Sequence, residues 1–251
     1  MENTLSHRTL IFAHRGARRE AAENTRTAFD KALRYPIDGI ETDVQLSRDG
    51  VPVLWHDRFL DKIGLPGKRI DDFDFAQLCR LDFAGYFSLE SGAECIMSLE
   101  AFLKTYRGRC RLLIEIKNRD WEQPARHHIK METALGLAGP GSDASVLISS
   151  FNLQSLVYAH QDADGCPLVY NFETDQTIDD AKGILERQPF LHGLCLPIET
   201  LDDGMVCLLR NRNKSVATYT CNSDDEIRKA LDLGVDILIS DYPEKALEMR
   251  E

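Results

Sequence analysis

The sequence lacks the features that mark membrane-spanning, secreted and nucleic-acid-binding proteins. No apolar run is long enough to cross a bilayer, and the N-terminal stretch MENTLSHRTLIFAHRG has no basic segment followed by a long apolar one. Lys and Arg number 30 against 41 Asp and Glu, which gives a net charge of -11 and leaves little basic surface for a nucleic-acid duplex. We therefore expect a cytoplasmic protein with no transmembrane segment and no nucleic-acid partner.

The cysteines also lack the spacing that would indicate a disulfide framework or a zinc site. There are seven of them, an odd number, and none lies in a CxxC pair. We expect buried free thiols in a reducing compartment rather than disulfides or zinc ligands. The seven are Cys79, Cys95, Cys110, Cys166, Cys195, Cys207 and Cys221.

Short β-rich runs alternate with helix-like segments along the whole chain. This alternation favours a parallel sheet with crossover helices, and 251 residues suit one closed (β/α)8 TIM barrel as a single domain over residues 1–251. An open doubly wound sheet is the alternative, but no GxGxxG follows the first run. The runs are LIFAH, GIETDVQL, VPVLWHD, RLLIEIK, SVLISSF, PLVYNF, LCLPIE, SVATYTC and DILISDYP.

These are nine runs, whereas a barrel needs eight strands, and the second and third runs account for the difference. Only Ser47-Arg48-Asp49-Gly50 separates them, which is too short for a crossover, and Asp-Gly is typical of a hairpin turn. The third run should therefore return antiparallel and place His56 opposite Glu41 and Asp43.

The segment that follows has a weaker pattern and is rich in Gly, Pro and charge, as in DKIGLPGKRIDDF. We interpret residues 58–97, approximately, as a small insertion over the strand ends, because long non-repeating loops in compact domains are usually lids or binding elements.

The working face of a (β/α)8 barrel lies at the carboxyl ends of its strands, and several polar residues fall there. Side chains two apart in a strand share a face, so Glu41 points with Asp43 and Glu115 with Lys117, while the neighbouring isoleucines and Val44 pack under the helices. The residues at this end are His14, Arg15, Glu41, Asp43, His56, Glu115 and Lys117.

Three carboxylates that converge in a barrel repel each other, and a hard divalent cation with oxygen ligands relieves the repulsion. For the same reason, replacing any of them by its amide should leave the metal-free fold no less stable. His14 and His56 can serve as acid and base near neutral pH, and Arg15 and Lys117 can hold an oxyanion. Each feature alone is more often structural, but together they indicate metal-assisted attack on a phosphate ester.

The motifs resemble those of the glycerophosphodiester phosphodiesterase family, in that family's order. They are AHRG…ENT…AF, GIETDVQLSRDGVPVLWHD, LLIEIK, ISSF and GVDILISDYP, which together run from His14 to Pro243. The resemblance implies a barrel, a divalent metal ion and hydrolysis of glycerophosphodiesters to sn-glycerol 3-phosphate and an alcohol.

By position, the resemblance assigns a role to each matching residue. It implies that His14 and His56 are catalytic, that Glu41, Asp43 and Glu115 hold Mg²⁺ or Ca²⁺, with Mn²⁺ a further candidate, and that Arg15 and Lys117 contact the phosphate. Glu23 and Asn24 of the ENT motif would support them. Tyr219 stands where the family usually has Trp, so an aromatic wall is kept but a hydroxyl is added.

Two other functions stay open. A related lipid phosphodiesterase, of the lysophospholipase D or sphingomyelinase D type, would use an apolar insertion such as FDFAQLCRLDFAGYF to contact membranes. A non-catalytic phosphodiester-binding barrel is the other, although no catalytic position is lost. The sequence specifies neither the head group nor the oligomeric state. We also expect Gly16 to let the backbone turn close to the ligand, and Asn24 or Thr25 to cap the next helix.

Overall fold

The computed structural model describes residues 8–88, 92–118, 122–139, 145–162 and 165–251. Within these residues, nine β-strands form one sheet. The strands are β1 (Leu10–His14), β2 (Gly39–Leu46), β3 (Pro52–Leu54), β4 (Arg111–Ile116), β5 (Val146–Ser150), β6 (Leu168–Asn171), β7 (Gly193–Pro197), β8 (Ser215–Tyr219) and β9 (Ile237–Ser240).

Eight of the strands close into a parallel barrel. The sheet runs β1-β9-β8-β7-β6-β5-β4-β2, and a parallel pairing of β1 with β2 closes it. The predicted (β/α)8 fold is therefore confirmed, and the open doubly wound sheet is excluded.

The helices that follow the strands pack on the outside of the barrel. Thr25 caps α1, because its hydroxyl accepts a hydrogen bond from the Ala28 amide at 3.2 Å. The helices are α1 (Arg26–Ala32), α2 (Phe75–Leu78), α3 (Leu99–Tyr106), α4 (Pro124–Ala138), α5 (Leu153–Asp162), α6 (Ile178–Arg187), α7 (Asp203–Asn211), α8 (Asp224–Asp232) and α9 (Pro243–Arg250).

The alternation of side chains along each strand separates two apolar layers. Ile40, Val44, Ile114 and Ile116 face outward and join the large core under the helices. The inward positions form a second cluster inside the barrel. It consists of Phe12, Leu113, Leu147, Val169, Cys195, Ala217, Ile237 and Ile239. These residues fill the barrel interior, and the polar residues of the sequence prediction lie further along the same strands.

The antiparallel strand β3 is an addition to β2, as predicted. The lower part of β2, Gly39–Glu41, pairs with β1, and the upper part, Val44–Leu46, pairs with β3. Beyond β3, the Trp55 amide donates to the Asp43 carbonyl at 3.1 Å. The returning chain therefore reaches the carboxyl end of β1, where His14 lies.

The insertion packs as a small lobe against β3. Within residues 58–97 lie two 3-10 turns, Asp61–Ile63 and Ile70–Asp72, and the short helix α2. A separate hydrophobic cluster holds this lobe to the barrel. Its buried members are Val53, Trp55, Leu60, Ile70, Leu78, Phe83 and Ile96.

Cysteine exposure and membrane topology also bear on the sequence predictions. All seven cysteines are free, but the expectation that they are buried holds only for Cys195 and Cys221; Cys79, Cys110 and Cys166 are partly exposed, and Cys95 and Cys207 are exposed. Both lie outside the two barrel layers, Cys95 in the insertion and Cys207 on α7. In the described ranges, no helix is long and apolar enough to cross a membrane.

Two phenylalanines of the insertion give a matched test of its packing. Phe83 is 2% exposed and meets Trp55 edge-on, with ring centroids 5.3 Å apart, whereas Phe87 is 37% exposed. Phe83→Ala should lower the free energy of unfolding by about 3–5 kcal/mol because it leaves a cavity. Phe87→Ala should change it by less than about 0.5 kcal/mol. Urea titration followed by Trp fluorescence measures the free energy of unfolding of both variants. An equal decrease in the two would contradict this packing.

Candidate active site

A cavity of about 170 Å³ opens at the carboxyl ends of the barrel strands. Six of the residues predicted from the motifs line it together, although they come from four separate segments of the chain. They are His14, Arg15, Glu41, His56, Glu115 and Lys117. Tyr219, the aromatic residue expected from the resemblance, also lines the cavity, as do Phe151, Asn171 and Cys195.

Glu41, Asp43 and Glu115 form a buried carboxylate cluster beside this cavity. One oxygen from each lies within 4.8 Å of the others. Asp43 Oδ1 is fully buried and accepts no hydrogen bond from the described residues. Carboxylate oxygens converging from two adjacent strands suit a hard divalent cation. The residues present therefore fit a divalent metal ion.

Two cations compensate the cluster. Arg15 Nε lies 3.0 Å from Asp43 Oδ2, and Lys117 Nζ lies 2.8 Å from Glu115 Oε1 and 3.4 Å from Asp43 Oδ1. Burial would raise the pKa of Asp43, but the charges of Arg15 and Lys117 outweigh burial and hold this pKa well below its usual range. Burial and the neighbouring Asp43 charge raise the pKa of Glu41 well above its ordinary value.

Arg15 owes its position to a backbone conformation that residues with a Cβ rarely adopt. Its φ is 57°, in the left-handed region. The Arg15 amide donates to the Glu41 carbonyl at 3.0 Å, and the Arg15 carbonyl accepts from the Asn24 amide at 3.1 Å. These bonds turn the chain at the end of β1, so that the guanidinium points at the carboxylates.

Gly16 is required by the close packing of α1. Its φ is 81°, and a Cβ at this position would lie 2.7 Å from the backbone carbon of Ala28 in α1. The glycine therefore allows α1 to pack closely against the turn, and the expectation that it also lets the backbone turn close to a ligand stays a prediction.

Glu23 and Asn24 support the cluster, in the places where the ENT motif led us to expect them. The Asn24 side-chain amide donates to Asp43 Oδ2 at 3.0 Å and accepts from the Thr42 hydroxyl at 2.7 Å. Glu23 Oε2 lies 3.1 Å from an Arg15 guanidinium nitrogen. These contacts fix the orientations of Asp43 and Arg15.

His14 is held by a carboxylate from the far end of the sequence. Its Nδ1 lies 2.6 Å from Asp241 Oδ1, and Asp241 Oδ2 accepts from the Asn222 side chain at 3.0 Å. The other ring nitrogen, Nε2, lies 3.8 Å from Glu41 Oε2. Burial and the Arg15 charge lower the pKa of His14, against the opposing effect of Asp241. Nε2 is thus the ring nitrogen that faces the carboxylate cluster, while Nδ1 is bound by Asp241.

His56, which also lines the cavity, has a similar arrangement. Its Nδ1 lies 2.8 Å from Asp57 Oδ1, and Lys62 Nζ contacts Asp57 Oδ2 at 2.9 Å. The same lysine reaches Glu23 Oε1 at 2.7 Å. Lys62 belongs to the insertion. It therefore connects the insertion to Asp57, the partner of His56, and to Glu23, the partner of Arg15.

Several residues of the site were not predicted from the sequence, although they lie within or beside its motifs. Asp57 follows His56 in WHD, and Asp241 lies in DILISDYP. Phe151 and Asn171 lie at or just beyond the ends of β5 and β6. A systematic reading of the strand ends would have found the last two, but no local signal pairs Asp241 with His14.

The hydroxyl of Tyr219 points away from this chemistry. It donates a hydrogen bond to the Phe172 carbonyl, and the ring meets Phe151 edge-on, with centroids 5.9 Å apart. Tyr219 therefore presents its ring to the cavity, and its hydroxyl is engaged by the backbone.

Comparison with known proteins points to one family. The glycerophosphoryl diester phosphodiesterase family matches residues 14–245. A glycerophosphodiester phosphodiesterase of Bacillus altitudinis is 32% identical over 254 residues, and the alignment covers 97% of this chain and 98% of the relative.

Solved structures agree with this match. A phosphodiesterase of Oleispira antarctica in complex with the product sn-glycerol-3-phosphate has a TM-score of 0.85 and 26% identity, and the match covers 96% of each chain. A protein from Silicibacter pomeroyi DSS-3 has a TM-score of 0.85 at 20% identity, covering 97% of this chain and 93% of that one, which supports the fold.

The ion pairs of Asp43 change one expectation about the metal-free fold. Glu41→Gln should raise the free energy of unfolding at pH 7.5, because it removes a buried carboxyl whose pKa is raised. Asp43→Asn should instead lower it by about 3 kcal/mol or more, because Arg15 and Lys117 lose their partner. Asp43 is thus the exception to the rule that an amide replacement leaves the metal-free fold no less stable.

The two effects should differ in their pH dependence. The gain in Glu41→Gln should shrink as the pH falls towards about 4, because a raised carboxyl pKa destabilises the fold only above its ordinary value. The loss in Asp43→Asn should persist to about pH 4 and shrink only below it, because a depressed carboxyl pKa stabilises the fold until the pH falls through the folded-state pKa. Urea titrations in EDTA at several pH values measure the free energy of unfolding of both variants. If it changes in the same direction in both, the charges are not balanced as described.

Proposed function

The chain belongs to the glycerophosphoryl diester phosphodiesterase family and is a phosphodiester hydrolase, and from this membership we propose that it hydrolyses glycerophosphodiesters to sn-glycerol 3-phosphate and an alcohol. One observation supports the proposal above all. The carboxylate cluster, two carboxylate-paired histidines and two cations converge on one cavity at the carboxyl end of the barrel.

In this proposal Glu41, Asp43 and Glu115 hold a divalent cation, with Mg²⁺ or Ca²⁺ preferred and Mn²⁺ a further candidate. All three provide the oxygen ligands that such ions favour. When bound, the ion supplies positive charge that polarises the phosphate. Arg15 and Lys117 already offset part of the negative charge of the cluster. The three carboxylates therefore stay in place whether or not the ion is bound.

Arg15 and Lys117 seat the phosphate. Both line the cavity, and both are buried, so their charges are weakly screened. Their ion pairs with Asp43 and Glu115 hold them in fixed positions before the substrate enters. A negative charge that grows on the phosphoryl oxygens during the reaction then meets cations that need no reorganisation.

The two histidines move the protons. In the mechanism that the family resemblance suggests, the substrate hydroxyl next to the phosphoester attacks phosphorus, the alcohol leaves, and water opens the cyclic phosphate. One histidine takes the hydroxyl proton and the other protonates the departing alkoxide. Asp241 and Asp57 each engage an Nδ1, which orients the ring and directs Nε2 to this work.

The cavity also bears on substrate size. At about 170 Å³ it is smaller than the roughly 300–1,000 Å³ of drug-binding pockets. It suits the glycerol phosphate half of the substrate, with the Tyr219 and Phe151 rings against its carbon atoms, and leaves the alcohol towards solvent. We therefore expect tolerance of different head groups.

The alternatives are less well supported. In the described part of the insertion, Phe87 is the one large exposed apolar side chain, which is little for a membrane-contacting lipid phosphodiesterase. A non-catalytic barrel would have no need of two carboxylate-paired histidines. The described residues of the insertion do not line the cavity, so its expected role as a lid or binding element stays a prediction, as does the cytoplasmic location.

The reaction and its metal dependence can be tested together. A panel of glycerophosphodiesters that differ only in the alcohol should release glycerol phosphate, and EDTA should abolish the release. Mg²⁺, Mn²⁺ or Ca²⁺ should restore it, because the carboxylate cluster binds such ions. A lysophospholipid measured alongside distinguishes the lipid alternative. Full activity in exhaustively chelated protein would refute the metal dependence, and inactivity on every diester would refute the proposed reaction.

The histidines are tested by kinetics. His14→Ala and His56→Ala should each lower kcat by about 10²–10⁴-fold, the usual size for general acid–base groups, with little change in substrate affinity. His160→Ala, on the outer helix α5, is the matched control and should keep wild-type turnover. A substrate with a very good leaving group should rescue the variant that lacks the acid but not the one that lacks the base. Near-wild-type turnover of the double variant would show that the histidines are structural.

A further inference from the structure

Lys62 of the insertion has a defined place although its side chain is 32% exposed. Its ammonium nitrogen lies 2.7 Å from Glu23 Oε1 and 2.9 Å from Asp57 Oδ2. The Trp55 and Tyr86 rings are close to the same atom, with centroids 5.6 and 5.7 Å away. Several partners together fix a cation that a single surface ion pair would leave mobile. Lys62 does not line the cavity, so any effect on the reaction must pass through these partners.

The two carboxylates that Lys62 joins are close to each other and to His56. One oxygen of Glu23, one oxygen of Asp57 and a ring nitrogen of His56 lie within 4.8 Å of one another. Like charges at this distance repel each other, and a cation between them relieves the repulsion. Lys62 supplies that cation, and without it the two carboxylates would move apart.

The two carboxylates differ in how far they depend on Lys62. Glu23 is buried and also contacts guanidinium nitrogens of Arg15 at 3.1 Å and of Arg18 at 3.0 Å. Within the described ranges, Lys62 is the one lysine or arginine that contacts the Asp57 carboxylate, whose side chain is 32% exposed. Loss of Lys62 should therefore let Asp57 turn to solvent, while Arg15 keeps its partner.

The backbone that carries His56 is held independently of the insertion. The side-chain amide of Gln45, on β2, donates to the carbonyls of Trp55, His56 and Asp57 at 3.0, 3.3 and 2.7 Å. The Asp57 carboxylate therefore affects the direction and protonation of the imidazole ring rather than the position of the loop.

We propose, on the basis of the function proposed above, that Lys62 is a positioning residue for His56. Its ammonium group holds the Asp57 carboxylate where Oδ1 accepts a hydrogen bond from His56 Nδ1, at 2.8 Å. A neutral imidazole has one N–H, and a partner that accepts from Nδ1 leaves the lone pair on Nε2. Lys62 thereby keeps Nε2 available for proton transfer. Once Asp57 turns away, the ring can rotate and its proton can move to Nε2.

Kinetics with a glycerophosphodiester separate this role from phosphate binding. Lys62→Met keeps a long apolar side chain but no charge, and it should lower kcat by about 10–100-fold, the size typical of groups that orient functional histidines. KM should change less than about threefold, because Arg15 keeps Glu23. Lys62→Arg retains the charge and should restore most of the turnover. Lys68→Met, at an exposed lysine of the same insertion, is the matched control and should behave as the wild type.

A double variant tests whether Lys62 acts through Asp57. Asp57→Asn should itself lower kcat, and the addition of Lys62→Met should cost little more, because both changes break one chain of contacts. Additive losses would overturn the proposal, as would a Lys62→Met turnover equal to that of the wild type.

The His56 ring gives a measurement that needs no turnover. At about pH 8.5 a histidine ring is neutral, and its nitrogen chemical shifts distinguish the Nδ1–H from the Nε2–H tautomer. Wild type and Lys62→Arg should show the Nδ1–H form, and Lys62→Met should gain the Nε2–H form, with His56→Ala identifying the signals. Unchanged ring signals in Lys62→Met would overturn the proposal. If the wild type hydrolyses no diester, the proposed reaction fails, and the ring signals still decide whether Lys62 holds His56.

Discussion

The site depends on holding three buried carboxylates within one another's reach. Glu41, Asp43 and Glu115 come from adjacent strands of the barrel, and their oxygens lie within 4.8 Å. Such a cluster is costly without positive charge, and the chain supplies that charge from Arg15 and Lys117. The left-handed backbone of Arg15, the Asn24 hydrogen bond to Asp43 and the Glu23 contact to Arg15 all serve this compensation.

The closed barrel and the place of most site residues could be predicted because they depend on local pattern. Apolar runs, two-residue alternation and the Asp49-Gly50 turn indicated eight parallel strands and one returning strand. The same alternation of side chains along the strands predicted which polar residues lie at the strand ends. Asp241, by contrast, is 227 residues from His14, and nothing near either residue indicates their contact. The structure of the insertion could not be predicted either, because its short 3-10 turns have no hydrophobic periodicity. The exposure of Cys95 could not be deduced from composition.

The insertion contributes to the site through charge rather than through cover. Its described residues stay beside the cavity, where they pack on Trp55 and the rest of the β3 cluster. Lys62 is the link, since its ammonium group contacts both Asp57, which orients His56, and Glu23, which holds Arg15. A change in the lobe can therefore reach His56 and Arg15 through the Lys62 side chain.

The same distribution of contacts explains why the head group should matter little. In the proposed reaction, Glu41 and Glu115 hold the metal ion and the other charged groups of the cavity act on the phosphate or on the proton transfers, while the aromatic pair Tyr219 and Phe151 would offer apolar surface to the glycerol carbons. The Tyr219 hydroxyl, which could have added a polar contact to the substrate, is bound to the Phe172 carbonyl. If the proposed reaction is right, binding free energy is concentrated on the glycerol phosphate half of the substrate, the part common to all glycerophosphodiesters. The alcohol would then make contacts that the reaction does not require.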